Sequence, residues 1–193
     1  MKLCVYGASG ERLDARYFEA ARELGKELGQ RGHCLLFGGG AHGLMGACAE
    51  GAESAGAEII GVAPRFFDEP GILFPRCSDF VFTETMRERK AIMEDEGEAF
   101  LVLPGGIGTF EEFFETLTLK QLGQHDKPIA LLNTLGYYDA FFALLEQAAE
   151  GGFLSRGCLS LCALCPTPEA ALDYIETAAP LSGSIRRLED YTK

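Results

Sequence analysis

The feature that most constrains the fold is a repeated order along the chain of a short apolar run, a turn and a helical segment. The apolar runs, such as those at 34–37 and 99–103, are hydrophobic at consecutive positions rather than at every second one. Strands of this kind are buried on both faces, as in a parallel sheet covered by helices. The sequence therefore predicts an α/β fold with a doubly wound parallel sheet and helices on both faces.

The apolar runs and the helical periodicity place the individual elements. Strands are predicted at 3–6, 34–37, 58–63, 79–83, 99–103, 128–133 and around 159–164, and helices at 13–32, 43–55, 85–96, 110–122, 137–150 and 169–178. No linker divides the 193 residues. We therefore expect a single domain over 1–179, followed by a C-terminal tail at 180–193.

Three glycine-rich turns follow predicted strands, at 7–10, 38–43 and 104–108. In a parallel sheet, ligands bind at the carboxyl ends of the strands. One such turn is a weak signal, but three at the same edge of a sheet favour a pocket the size of a nucleotide.

The third turn is the most informative, because positions 104–112 read Pro-Gly-Gly-Ile-Gly-Thr-Phe-Glu-Glu. A turn between a strand and a helix directs backbone N–H groups and the positive end of the helix dipole at one point, which is typical of a phosphate site. Thr109 is predicted as the helix N-cap, with Glu112 at capping-box spacing. The spacing alone leaves Glu112 open to a structural or a catalytic role.

The helix at 85–96 supplies positive charge. Met86, Arg89, Lys90 and Met93 share one of its faces. Methionines beside cations suit the wall of a partly buried pocket, with Arg89 meeting phosphate or ribose oxygens. Surface ion pairs with neighbouring glutamates are the alternative, and Lys90 is equally compatible with a ligand contact.

Charge and hydropathy exclude some partners. The net charge of −12 disfavours DNA or RNA, although a small phosphorylated ligand is still allowed. No apolar run approaches the roughly 18 residues that a membrane span needs.

The seven cysteines are odd in number, and several lie in apolar runs. Buried, reduced thiols in a cytoplasmic protein fit this pattern better than disulfides. Cys162 and Cys165, with Cys158 nearby, have metal-pair spacing, but core packing is favoured over a metal site because nothing completes the ligand set. We expect neither a metal nor a cofactor.

The motif at 104–112, with Met-x-x-Arg-Lys-x-x-Met at 86–93, resembles the paired signature of the LOG ("Lonely guy") family of cytokinin riboside 5′-monophosphate phosphoribohydrolases. The glycine motif at 38–46 and the segments at 121–128 and 132–138 are also similar, so the resemblance covers roughly residues 3–154. Arg87 departs from the family, which usually has histidine there. The first glycine turn departs too, reading Tyr-Gly-Ala-Ser-Gly at 6–10.

The resemblance implies a Rossmann-like fold, hydrolysis of an N6-substituted adenosine monophosphate to base and ribose 5-phosphate, and a homodimer whose active sites are completed across the interface. Arg89 and Glu112 match the family's catalytic pair. The substrate-binding residues expected with them are Ser9, Gly39, Met86, Lys90, Gly105, Gly106, Gly108 and Thr109.

Two other functions are compatible with parts of the pattern, and a third is not. A general AMP nucleosidase would use the same chemistry, and only its base pocket would differ. The loop at 66–70 and Met45 are candidates for the pocket of an N6 prenyl group. A carrier of a phosphorylated pterin-type cofactor would need the glycine turns but not Arg89 with Glu112. An amino-acid decarboxylase has no support, because pyridoxal phosphate needs a Schiff-base lysine and a partner for its ring nitrogen.

Overall fold

The computed structural model describes residues 1–179, and the tail predicted at 180–193 lies outside them. The chain forms a seven-stranded sheet in the order β4-β3-β2-β1-β5-β6-β7, with all neighbouring strands parallel. This order confirms the predicted doubly wound sheet. The strands are β1 (Lys2–Tyr6), β2 (Cys34–Phe37), β3 (Ile59–Pro64), β4 (Asp79–Thr83), β5 (Ala99–Val102), β6 (Ile129–Leu132) and β7 (Ala163–Cys165).

Helices cover both faces of the sheet and create two hydrophobic cores. The first core lies under α1, α2 and α6, and the second under α3, α4 and α5. The helices are α1 (Ala15–Gln30), α2 (Gly43–Ser54), α3 (Met86–Glu96), α4 (Ile107–Gln121), α5 (Asp139–Glu150) and α6 (Pro168–Thr177).

The central strand shows why the apolar runs are continuous. In β1, Leu3 and Val5 face the first core, whereas Cys4 and Tyr6 face the second. Because side chains alternate between the faces of a strand, a strand buried on both sides needs an apolar residue at every position.

Helices α1 and α2 pack closely because glycines stand at their contact. A Cβ atom on Gly25 would meet the backbone of Cys48, and one on Gly51 would meet the backbone of Arg22. The small-residue composition of α2 therefore permits close approach to its neighbouring helix.

Two predicted boundaries are wrong. The helix predicted at 110–122 is α4, which begins at Ile107 with Gly106 as its N-cap. Thr109 lies buried inside the first turn, so it is not the N-cap and the predicted capping box does not form. The strand predicted around 159–164 is shorter and later, because residues 156–160 form a 3-10 helix capped by the Ser155 side chain.

All seven cysteines are free thiols, and Cys162 and Cys165 lie in different hydrophobic cores. Within residues 1–179, every helix is too short or too polar to cross a bilayer.

The order of strands fixes the position of a crevice. From β1 the chain moves outward through β2 and β3 to β4, and then returns to β5 on the other side of β1. The connections after β1 and β5 therefore diverge at the carboxyl edge, and this switch point is where open α/β sheets bind ligands.

Candidate active site

A cavity of about 730 Å³ opens at the switch point. This volume is in the range of sites for small ligands. All three predicted glycine turns contribute to its lining, and so do helices α3 and α4. The residues from the glycine turns are Gly7, Ala8, Ser9, Gly10, Gly38, Gly40, His42, Gly106, Ile107 and Gly108.

An ion pair between Arg89 and Glu112 lies in the cavity wall. The Arg89 Nη1 atom donates to Glu112 Oε1 at 2.6 Å, and the two side chains are only 7% and 11% exposed. Arg89 Nε also donates to the carbonyl of Val62 at 3.2 Å, which anchors the guanidinium to the end of β3. The pair thus joins α3, α4 and the sheet.

A glycine makes room for the guanidinium. A Cβ atom at Gly38 would collide with Nη2 of Arg89. Gly38 directly follows β2, so the second glycine turn sets the position of the cation as well as lining the cavity.

Burial raises the pKa of Glu112, and the charge of Arg89 opposes that rise. A carboxylate in a low-dielectric wall interacts more strongly with a developing cation than one in water does. Its position also makes it accessible to a ligand, since it lines the cavity.

The start of α4 supplies the anion-binding groups that the sequence predicts. Gly106 caps the helix, and Ile107 and Gly108 are exposed on the cavity wall. The first N–H groups of a helix have no intrahelical acceptor, and the positive end of the helix dipole lies beside them.

Another part of the cavity lining is apolar. The β3–β4 connection crosses the end of β2, where the amide of Ala41 donates to Ile72 O at 2.9 Å. The His42 ring also lies within hydrogen-bond distance of Glu11 and of the carbonyl of Gly71. The connection contributes the apolar lining residues Phe67, Ile72 and Leu73, and Met45 of α2 and Met86 of α3 add to this apolar wall.

The structure brings most of the predicted site residues together. Those that line the cavity are Ser9, Met86, Arg89, Gly106, Gly108, Thr109 and Glu112.

Three other predicted residues lie behind the lining. The carbonyl of Gly39 accepts the N–H of Phe74, and Gly105 is buried under the side chain of Thr109. Lys90 forms ion pairs with Glu111 and Glu115 on the outer side of α3 and α4.

Sequence reasoning missed several lining residues. Gly38, Gly40 and His42 stand inside a turn that was recognised, so the turn could have identified them. Ile72 and Leu73 gave no such signal, because only the crossing of the β3–β4 connection over β2 brings them to the cavity.

Comparison with known proteins agrees with this geometry. A family model described as "Possible lysine decarboxylase" matches residues 45–175. The rice enzyme cytokinin riboside 5′-monophosphate phosphoribohydrolase LOG is 37% identical over 93% of this chain and 74% of its own. LOG3 of Arabidopsis thaliana is 35% identical over 93% of this chain and 83% of its own. The chain belongs to the LOG family, a family of N-glycosyl hydrolases.

Solved structures share the fold. TM1055 is 26% identical, with a TM-score of 0.72 over 91% of this chain and 98% of its own. The molybdenum cofactor carrier protein of Chlamydomonas reinhardtii has a TM-score of 0.69 over 91% of this chain and 95% of its own. At 24% identity, the latter likeness concerns the fold alone.

The decarboxylase description does not fit the cavity. Pyridoxal phosphate requires a lysine that forms a Schiff base. Among the described residues, none of those lining the cavity is a lysine, and the amine of nearby Lys90 is engaged by Glu111 and Glu115.

Proposed function

We propose that this protein hydrolyses the N-glycosidic bond of an adenosine 5′-monophosphate with an apolar N6 substituent, releasing the base and ribose 5-phosphate. The observation that carries the proposal is the buried Arg89–Glu112 pair, which lies in the wall of a cavity rimmed by the start of α4. A protein that only binds a phosphate has no need of a buried carboxylate beside the phosphate site.

The chemistry follows from the charges. Breaking the bond between the anomeric carbon and the base nitrogen builds positive charge on the ribose, as in glycoside hydrolysis. Glu112 stabilises that charge and orients the water whose oxygen bonds to the anomeric carbon, while the base nitrogen gains a proton. Arg89 holds Glu112 and positions the sugar against it.

The phosphate is assigned to the start of α4, with Gly106, Gly108 and Thr109 as donors and Ser9 facing them from the β1 turn. Gly39, Gly105 and Lys90 act from behind the lining, by supporting the turns and the helix pair. This assignment predicts that nucleosides without the phosphate are poor substrates.

The apolar wall supports a substituted base over plain adenine. Met45, Phe67 and Met86 belong to the apolar part of the cavity lining, and both methionines can adapt to an irregular alkyl group. AMP, which lacks such a group, leaves this surface in contact with water. We therefore expect the N6-isopentenyl nucleotide to have the higher kcat/KM.

The test is chromatographic. The protein is incubated with AMP, with N6-isopentenyladenosine 5′-monophosphate and with the two nucleosides, and free base and ribose 5-phosphate are measured. Equal release from nucleotide and nucleoside would contradict the phosphate site. A higher kcat/KM for AMP would favour a general nucleosidase, and release from none of the four would favour a carrier.

A homodimer belongs to the same proposal. Ile107 lines the cavity and is 88% exposed, and Phe114, Leu144 and Phe153 extend an apolar surface along α4, α5 and the segment that follows. A second copy packed on this surface would cover it and complete the cavity rim. Light scattering should give twice the chain mass, whereas a fully active monomer would contradict the interface.

A further inference from the structure

Two tyrosines at the end of β6 lie next to the loop between β5 and α4, residues 103–106. Tyr137 and Tyr138 follow a 3-10 turn at 134–136 and precede α5. Neither lines the cavity. Their hydroxyl groups nevertheless contact the loop that the proposed function assigns to phosphate.

Three successive carbonyl groups of the loop accept hydrogen bonds, two from the tyrosines and one from the neighbouring β1 turn. The Tyr138 hydroxyl donates to Leu103 O at 2.7 Å, and the Tyr137 hydroxyl donates to Gly105 O. The carbonyl of Pro104 accepts the N–H of Ala8 at 3.1 Å. These three carbonyl oxygens of the loop therefore all have hydrogen-bond donors.

The bond from Tyr137 has a direct consequence for the next amide. In a planar trans peptide the carbonyl and the following N–H point in opposite directions. Since Gly105 O is directed to a residue outside the cavity lining, the N–H of Gly106 points the other way, and Gly106 lines the cavity. An anion there meets a donor rather than a carbonyl oxygen.

The tyrosines are themselves held in place. The Asn133 side chain accepts the N–H of Tyr138 at 2.8 Å and donates to Asp139 at 2.7 Å. Leu135 and Gly136 both adopt positive φ, 56° and 71°, which produces the reversal that returns the chain toward the loop. A non-glycine residue in this conformation persists only where the surroundings impose it.

We propose that Tyr137 and Tyr138 are positioning residues for phosphate recognition, with Tyr137 fixing the peptide that presents the Gly106 N–H. This inference rests on the proposed function, because that function assigns the phosphate to the loop. Tyr137 is the more informative of the two, since Tyr138 is only 1% exposed and its loss would also leave Leu103 O unpaired in the core.

The experiment compares Tyr137→Phe with Tyr17→Phe in the full chain. Tyr17 packs edge-on against the Tyr137 ring, and its hydroxyl forms no hydrogen bond with the rest of residues 1–179. Calorimetry measures binding of ribose 5-phosphate and of adenosine, and turnover of the N6-isopentenyl nucleotide gives KM and kcat. Thermal melting confirms that both variants are folded.

We expect Tyr137→Phe to weaken ribose 5-phosphate binding and raise the nucleotide KM by about tenfold, the upper range for one lost hydrogen bond. Adenosine binding and kcat should change less than threefold, and Tyr17→Phe should match the parent throughout. Unchanged ribose 5-phosphate binding, equal losses for both ligands, or no ribose 5-phosphate binding by the parent would overturn the inference. If the parent releases no base but the phosphate-specific loss appears, the proposed function fails and the positioning role stands.

Discussion

Two sets of ion pairs join helices α3 and α4, and adjacent residues build them. The inner pair, Arg89 with Glu112, has side chains 7% and 11% exposed and faces the cavity. The outer set joins Lys90, which is 14% exposed, to the more exposed Glu111 and Glu115, whose side chains are 53% and 40% exposed. A step of one residue turns a helix by about 100°, so neighbouring positions face different surroundings.

The difference in exposure indicates different roles for the inner pair and the outer set. A buried ion pair loses much of its Coulomb energy to desolvation, so the inner pair is poorly explained as a stabilising device. An exposed pair is worth at most about 1 kcal/mol, which suits an outer brace between two helices. We therefore expect changes to the inner pair to affect turnover and changes to the outer set to affect stability.

The largest expected effect comes from Arg89→Met. It removes the group proposed to position the sugar and leaves Glu112 buried without its cation, so kcat/KM should fall about 10³-fold and the melting temperature should drop. Lys90→Met, the same change at the next residue, is the control and should stay within about threefold of the parent activity. Equal losses of activity in the two variants would remove the distinction between the pairs.

The second effect comes from Gly38→Ala. The new methyl group would occupy the space of the Arg89 guanidinium. Displacing a positioning group by about 1 Å can cost 10²-fold in rate, and we expect a loss of that order in kcat. In the Arg89→Met background the same substitution should cost almost nothing more, because the displaced group is already gone. Additive losses would show that Gly38 acts elsewhere.

The third effect is a pH dependence. The proposed mechanism requires the ionised form of Glu112, and burial raises the pKa of this carboxyl above the ordinary value of 4.5. Activity should therefore fall as the pH decreases through a value above 4.5, by about tenfold per unit below that value. Glu111→Gln should leave this acidic limb in place, and full kcat/KM at pH 4.5 in the parent would contradict the assignment.

The smallest effect concerns Glu94, which lies on α3 within the electrostatic influence of the outer set. Burial, followed by the charge of Glu115, raises the pKa of Glu94 to about 7. A raised carboxyl pKa favours the fold at low pH, and that contribution is lost as the pH rises through about 7. Glu94→Gln should raise the melting temperature at pH 8 by about 2–4 °C, with a smaller change at pH 5. A gain at pH 5 as large as that at pH 8 would mean that ionisation of Glu94 is not the cause.

The fold was largely predictable because the central strands are buried on both faces, as the fully buried β5 and β6 show. The strands at 34–37 and 79–83 have the predicted bounds, and the glycine turns identify the edge of the sheet that holds the cavity. The strand predicted at 159–164 was misplaced because apolar side chains in the 3-10 segment, such as Cys158 and Leu159, resemble an edge strand.

The sequence predicted the site residues that belong to local motifs, but not the features that depend on tertiary packing. The motifs indicated Arg89 and Glu112, but spacing alone offered a capping box, because Thr109 and Glu112 match it as well. The start of α4 at Ile107 excludes the capping box, and the packing of α3 against α4 pairs Glu112 with Arg89. The separation of Lys90 from Arg89 likewise depends on which face of α3 meets the cavity.

The most direct measurement is base release from N6-isopentenyladenosine 5′-monophosphate by Glu112→Gln and Glu111→Gln, assayed side by side with the parent. The substitutions are identical and adjacent, but only the first removes a carboxylate that lines the cavity. We predict a loss of about 10³-fold for Glu112→Gln and less than threefold for Glu111→Gln. Comparable rates for the two variants would contradict the central role of the Arg89–Glu112 pair.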